Sequence, residues 1–251
     1  AVIFGGVGQA SQVNTLRGGV DILVATPGRL LDLMNQGHIS LSNVEIFVLD
    51  EADRMLDMGF IHDIKKIVPK IPTNRQTLLF SATMPKTIEG LARDLLRNPQ
   101  KVEVTPPSTT VERIAQKVIY CDRGTKNSLL EKVMKEEQMD LVLIFSRTKH
   151  GANRISEYLQ KNKIPSAAIH GNKSQNNRET ALANFKSGKI KFLVATDIAA
   201  RGIDVDGVSH VINFDVPVDA ESYVHRIGRT ARAEADGAAF TLIGEKEQNK
   251  F

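Results

Sequence analysis

Several clusters along the 251-residue chain combine residue types that do chemistry together. The first is Asp50-Glu51-Ala52-Asp53, which directly follows the apolar run Ile46-Phe47-Val48-Leu49. An unbroken apolar run of this length predicts a strand buried on both faces, as in a parallel sheet. The acids then stand at its carboxyl end, the edge where open α/β sheets bind ligands. Two adjacent carboxylates there can hold a hydrated Mg²⁺ and orient a water against a phosphate. The same octapeptide also reads as a strand leading into a helix with an acidic first turn, which the helix dipole favours.

Ser81-Ala82-Thr83 ends another apolar strand, Gln76–Phe80. Alone it reads as helix capping ahead of Pro85. Parallel strands end on one edge, so its hydroxyls are also placed to hydrogen-bond Asp53. Ala195-Thr196-Asp197 through Ala200-Arg201-Gly202-Ile203-Asp204 repeats the design, with polar residues at a strand end followed by small ones. In Tyr223-Val224-His225-Arg226-Ile227-Gly228-Arg229-Thr230-Ala231-Arg232, three arginines recur every third residue, roughly one face of a helical turn. Like charges there repel unless an anion lies between them. Guanidinium forks suit phosphate oxygens and stabilise charge in phosphoryl transfer. The plainer reading is a solvated basic helix end.

Strand-like and helix-like runs alternate to position these clusters. In the first half, strands are expected over Ala1–Phe4, Asp21–Ala25, Ile46–Asp50, Gln76–Phe80 and Lys101–Val104. Helices fall between them, one opened by Thr26 as cap and Pro27 at its first position. Thr105-Pro106-Pro107-Ser108-Thr109-Thr110 reads as a linker. The alternation then restarts, with strands at Ile114–Cys121, Leu141–Phe145, Ser166–Ile169, Phe192–Ala195, Val208–Phe214 and Ala238–Ile243. This implies two α/β domains with mainly parallel sheets flanked by helices: residues 1–105, a linker over 106–111, and residues 112–251.

Composition narrows the classes. At 41% hydrophobic, the chain is not disordered. Its one cysteine, Cys121, excludes an internal disulfide and argues against structural zinc. No apolar run approaches bilayer length and no secretory signal is visible, so a cytoplasmic setting without a membrane is expected. All of the formal charge of +4 lies in residues 107–251, compatible with a polyanion partner. Gly6-Val7-Gly8 imitates a dinucleotide fingerprint, but Ser11 stands where its third glycine belongs. The pattern G-x-x-x-x-G-K-[ST] is absent from the whole chain.

Taken in order, these segments resemble the DEAD-box ATP-dependent RNA helicases of superfamily 2. Asp50-Glu51-Ala52-Asp53 is the motif that names that family. Ser81-Ala82-Thr83 is similar to its third motif, Leu143-Ile144-Phe145-Ser146 to its fourth, Thr196–Asp204 to its fifth and His225–Arg232 to its sixth. Gly5-Gly6 and Thr26-Pro27-Gly28-Arg29 resemble its RNA-backbone motifs, and Gln175-Asn176-Asn177-Arg178 its Q-x-x-R element. The texture is nearest to bacterial members of the RhlE type. Ala231 departs from the glycine usual in the sixth motif, a mild change. The family's adenine-reading segment, phosphate loop and first RNA motif precede Gly5-Gly6 and have no counterpart here. The expectation is a truncated first domain.

The resemblance implies two RecA-like domains, the first incomplete, that use ATP and Mg²⁺ and grip RNA. Asp50 would hold Mg²⁺ through water, with Glu51 beside it, and Glu51 would activate the attacking water. Asp53 would link to Ser81 and Thr83, with His225 nearby, coupling nucleotide state to RNA grip. Arg229 and Arg232 would reach the γ-phosphate, and Asp204 the ribose. Gly6, Thr26, Arg29, Arg178 and Thr196 would contact RNA phosphates or sugars, so binding should tolerate sequence and respond to salt. A monomer is expected. The alternative is a catalytically incomplete RNA-binding fragment. A DNA-directed relative fits less well, given the final Asp53 of the tetrad and the His225-Arg226 start of the sixth motif.

Overall fold

The computed structural model describes residues 1–103, 113–122, 124–200, 203, 205–231 and 235–250, without the side chains of 246, 249 and 250. The chain divides into two units, Ala1–Val104 and Thr105–Phe251. The expected linker, 106–111, lies outside the described residues.

The first unit runs β1 (Val2–Ile3), α1 (Ala10–Arg17), β2 (Val24–Ala25), α2 (Pro27–Asn35), β3 (Ile46–Leu49), α3 (Ala52–Asp57), α4 (Ile61–Ile67), β4 (Gln76–Leu79) and α5 (Lys86–Leu95). Its strands form two parallel pairs, β1 with β2 and β3 with β4. Gly59, at φ +79°, breaks the helix between α3 and α4 where a residue with a Cβ would be strained.

Two expectations are corrected in this unit. β3 is not buried on both faces. Leu49 is 4% exposed, but Ile46 and Val48 are 60% and 50% exposed. Apolar residues of α3, α4 and α5 pack against Leu49 and Phe47, which share one face, and the alternate residues point away from them. The strand expected over Lys101–Val104 does not form at residues 101–103, and Val104 lies outside the described residues. Val102 is 85% exposed there, so pairing would bury little.

The second unit runs β5 (Ile114–Cys121), α6 (Lys126–Glu136), β6 (Leu141–Phe145), α7 (Lys149–Lys161), β7 (Ser166–Ile169), α8 (Gln175–Lys186), β8 (Phe192–Ala195), α9 (Asp197–Ala200), β9 (Val208–Asn213), α10 (Ala220–Ile227) and β10 (Gly237–Gly244), then a 3₁₀ turn, Glu245–Lys250. Its six strands form one parallel sheet in the order β5-β10-β9-β6-β8-β7. Here period-two alternation sorts the core. Val142, Ile144, Phe192 and Val194 pack with Leu130, Ile155 and Leu159 of α6 and α7. Leu143, Phe145, Leu193 and Ala195 pack with Phe185, Ala199 and Ile227 of α8, α9 and α10. Strands β6 and β8 are therefore covered on both faces, as helices on both sides of a parallel sheet require. Mainly parallel sheets flanked by helices, with a six-stranded sheet, are what RecA-like domains have.

Candidate nucleotide and nucleic-acid site

In the first unit the register of β3 with β4 (Leu49 opposite Leu79) brings the acidic tetrad and Ser81–Thr83 out on one edge. The backbone continues that pairing past the strands: Phe80 N–H donates to Leu49 O at 2.8 Å and Ala52 N–H to Phe80 O at 3.0 Å. Asp53 is then enclosed by donors. Thr83 gives its N–H and its hydroxyl to Asp53 Oδ2, both at 2.9 Å, and Arg54 N–H reaches Oδ1 at 2.9 Å. Asp53 N–H donates to Ser81 Oγ, whose own proton goes to Thr83 O. Burial pushes the Asp53 carboxyl up. The hydrogen bonds from Thr83, Arg54 and Ser81 outweigh it and hold the group below the usual carboxylate range.

Glu51 sits in the left-handed region, at φ 50° and ψ 49°, a conformation that residues other than glycine rarely adopt. This turn ends the strand abruptly and leaves both Asp50 and Glu51 exposed. Asp50 Oδ1 accepts from Glu51 N–H at 2.9 Å, and the Glu51 carboxylate pairs with Arg54. Among the described residues no group of three or more His, Cys, Asp or Glu is placed to hold a metal ion. Mg²⁺ keeps several waters and binds through one or two carboxylates together with phosphates, so an exposed Asp50–Glu51 pair fits that ion although no protein cage exists.

A second strand edge collects three of the residues expected to touch RNA, Gly6, Thr26 and Arg29. β1 and β2 pair Ile3 with Ala25, so Gly5-Gly6 and Thr26-Pro27 leave the same edge. Gly6 adopts φ +83°. Thr26 occupies the cap position of α2, but its hydroxyl makes no capping bond, which corrects the expected cap and leaves that exposed group open to a ligand. Arg29 is placed differently from a surface contact. Its side chain is 11% exposed, and its Nη2 donates to Val7 O at 2.8 Å, tying the glycine loop to α2. Its buried Nη1 has no hydrogen-bond partner. Gln12 braces the same loop through paired bonds to the Phe4 backbone at 3.1 Å. Sequence reasoning missed Gln12, since a helical glutamine carries no signal of its own.

In the second unit Arg226 and Arg229 of the sixth motif do not share a helix face. α10 ends at Ile227, so Arg229 lies beyond it, and Arg232 lies outside the described residues, as does Asp204. Arg226 is 2% exposed and forks onto Asp197, Nε to Oδ1 at 2.5 Å and Nη2 to Oδ2 at 2.8 Å. Its Nη1 donates to Asp215 O at 2.7 Å, and the guanidinium stacks 5.0 Å over the Phe145 ring. The charge expected to require an outside anion is thus matched by Asp197. Arg229 and His225 are half-buried, and Arg229 donates to Ile203 O and to His225 O at 3.3 Å. A cavity of about 20 Å³, room for one water, separates Asp197 and Ala200 from His225 and Arg229.

Arg178 stands on α8 with Gln175 as its partner at 3.4 Å. Thr196 lies at the end of β8 and is 9% exposed. Asp215, which sequence reasoning missed, links the fourth motif to this network. Its Oδ2 accepts from Ser146 Oγ at 3.0 Å and Arg147 N–H at 2.8 Å. Glu247, also missed, accepts from Lys126 and from Arg147, so the last turn is tied back to the sheet edge. Burial raises the Glu247 carboxyl, and the Lys126 ammonium and nearby backbone N–H groups bring it below its ordinary value. The acidity of Asp197 and Asp215 at strand ends was the only sequence signal available for either.

Known proteins resemble this chain over both units. The family model "DEAD/DEAH box helicase" matches residues 1–91 and "Helicase conserved C-terminal domain" matches residues 125–234. A DEAD box protein from the hyperthermophile Methanococcus jannaschii is 38% identical, with 100% of this chain and 67% of that one covered and a TM-score of 0.53. Dbp5 of S. cerevisiae, bound to RNA and ADP BeF3, is 32% identical over 89% of this chain and 59% of its own, with a TM-score of 0.79. Mss116p, bound to ssRNA and AMP-PNP, is 29% identical over 98% and 53%, with a TM-score of 0.80. The chain thus spans 59% or less of those two relatives. With family models matching in both units and a solved relative of this identity and coverage, the chain belongs to the DEAD-box helicase family.

Proposed function

We propose that this chain carries the hydrolytic and RNA-gripping parts of an ATP-dependent RNA helicase, in which RNA-stimulated ATP hydrolysis drives local unwinding of short duplexes. The observation that carries the reading is the turn at Glu51. A strained left-handed residue delivers Asp50 and Glu51 to solvent while Asp53 is locked to Ser81 and Thr83. Strain that the surroundings hold in place is a mark of a working site. Asp50 and Glu51 would hold a hydrated Mg²⁺, which would supply charge neutralisation. Glu51 orients and deprotonates the attacking water, which requires its carboxylate to leave Arg54. Arg229 and Arg232 stabilise the γ-phosphate, and Asp204 holds the ribose. Asp53, through Ser81 and Thr83, and His225 relay nucleotide state to the RNA contacts.

RNA meets Gly6, Thr26, Arg178 and Thr196 through its backbone, and Arg29 supports that surface by holding the glycine loop in shape. The setting is the cytoplasm, away from membranes, and the protein acts as a monomer of the bacterial RhlE type. A second reading, an RNA-binding module without turnover, rests on the absence of any G-x-x-x-x-G-K-[ST] segment in the 251 residues.

Phosphate release with and without single-stranded RNA separates the two. A polypeptide joining these residues to a phosphate-binding loop is expected to turn over ATP faster with RNA. The 251-residue chain alone is expected to bind RNA without turnover. Glu51→Gln in the longer polypeptide abolishes turnover while ATP-dependent RNA clamping persists. Normal turnover by that variant refutes Glu51 as the base.

A further inference from the structure

Strand β7 ends the six-stranded sheet, and its outer side borders a groove of about 380 Å³ between α7 and α8. Strand parity decides which backbone groups face it. Thr196 N–H donates to Ile169 O, so Ile169 and Ala167 turn their backbone groups toward β8. Ser166 and Ala168 therefore face outward. The Ser166 carbonyl already accepts from Gln160 Nε2 of α7 at 2.8 Å, a side chain standing where a neighbouring strand would donate. The N–H and C=O of Ala168 are left on the open edge.

The walls of this groove are amides: Asn153 and Gln160 on α7, Asn177 and Asn184 on α8. The floor is small, with Ala167 and Ala168. Asn153 has a fixed orientation. His170 Nδ1 accepts from Asn172 N–H, so its Nε2 carries the proton and donates to Asn153 Oδ1 at 2.9 Å. The two amide protons of Asn153 then remain for a ligand. Charge in the lining balances, one acid (Glu157) against one base (Lys173). A phosphate backbone calls for an excess of Arg and Lys, whereas paired amides and an open sheet edge match the alternating donors and acceptors of a peptide backbone.

We propose that the α7–α8 groove binds an extended peptide segment of a partner protein as a seventh strand on β7. The peptide main chain bonds to Ala168, and the wall amides hold its backbone from both sides. Gln160 closes the Ser166 end of β7, so the segment recognised is short, about two or three residues at about 3.3 Å each.

The test selects binders for the 251-residue chain from a displayed library of random peptides about a dozen residues long. Affinity is then measured on two variants, and exchange of the Ala168 amide is followed. Ala168→Pro removes the outward donor without touching a bond to β8, a substitution that sheet edges accept. Selected peptides are expected to bind it at least about ten-fold more weakly, and to slow Ala168 exchange in the unaltered chain. Asn177→Ala/Asn184→Ala, which leaves the strand intact, is expected to weaken the same peptides several-fold and serves where the proline variant does not fold. The proposal is overturned if no peptide is selected, or if the selected peptides bind both altered forms as well as the original. It is equally overturned if oligouridine, and not peptide, slows exchange at Ala168.

Discussion

Asp53 and Asp197 occupy comparable places, each shortly past the end of a parallel strand, yet the two units hold them by opposite means. Asp53 is gripped by neutral donors, the Thr83 hydroxyl and N–H and the Arg54 N–H. Asp197 is gripped by one buried guanidinium, that of Arg226, which also anchors the Asp215 carbonyl and covers Phe145. A set of neutral bonds can be exchanged one at a time for water or for another partner. A buried fork cannot, because separating it leaves an arginine without compensation in a site that water barely reaches. The first arrangement suits a joint that must respond to a ligand, and the second suits a fixed frame from which Arg229 projects.

The largest break in that comparison comes from Arg226→Met. It keeps the volume but strands the Asp197 carboxylate and frees the Asp215 carbonyl. Removing one partner of a buried pair costs about 3–5 kcal/mol, and since Asp197 is itself 32% exposed the lower end applies here. Urea unfolding of the chain should show a loss of about 3 kcal/mol in the second unit. Asp197→Leu combined with Arg226→Met should recover part of it, because two apolar groups replace two charges. A loss under about 1 kcal/mol for the single variant would mean the fork is not the frame.

Thr83→Val makes a smaller break in the first unit. It deletes the hydroxyl donated to Asp53 and leaves the Thr83 N–H in place. The expected loss is about 1 kcal/mol, reduced from that of a fully buried charged bond because Asp53 is only partly enclosed. Its pH dependence has a definite sign. Asp53 sits below its ordinary value in the folded chain, so its bonds stabilise fully above about pH 4 and less as pH falls through the folded-state pKa. The difference between Thr83→Val and the unaltered chain should therefore shrink on acidification. A difference that stays constant down to pH 2 or so would assign the loss to packing instead of to Asp53.

The same contrast marks what was legible in the sequence. The strands of the second unit could be read because helices cover both faces, so Leu141–Phe145 and Phe192–Ala195 needed only to be continuously apolar. β3 carries an equally apolar run and was misread, because exposure depends on what packs against a strand and not on the strand. Asp53 with Ser81 and Thr83 could be anticipated, since parallel strands deliver their ends to one edge. Arg226 could not, because a three-residue spacing treats Arg226 and Arg229 as equivalent. The termination of α10 at Ile227 and an acid 29 residues upstream separate them. Arg29 was likewise read as a contact when much of its guanidinium serves the backbone of its own loop.

Ala231 offers the smallest test, at the edge of the fixed frame. Its φ is +54°, in the left-handed region that crowds a Cβ. Replacing it by glycine relieves about 1–2 kcal/mol of backbone strain. The methyl is 6% exposed and packs in the core shared with Ile227 and Ala239, so its loss costs about 0.8 kcal/mol. Glycine also surrenders more backbone freedom on folding, about 0.5–1 kcal/mol. The three contributions nearly cancel, and Ala231→Gly is expected to change stability by less than about 0.5 kcal/mol in thermal or urea unfolding. A gain near 2 kcal/mol would show that the methyl contributes no packing and that the turn is held against its strain by Thr230, whose hydroxyl donates to the Val208 and Ser209 carbonyls.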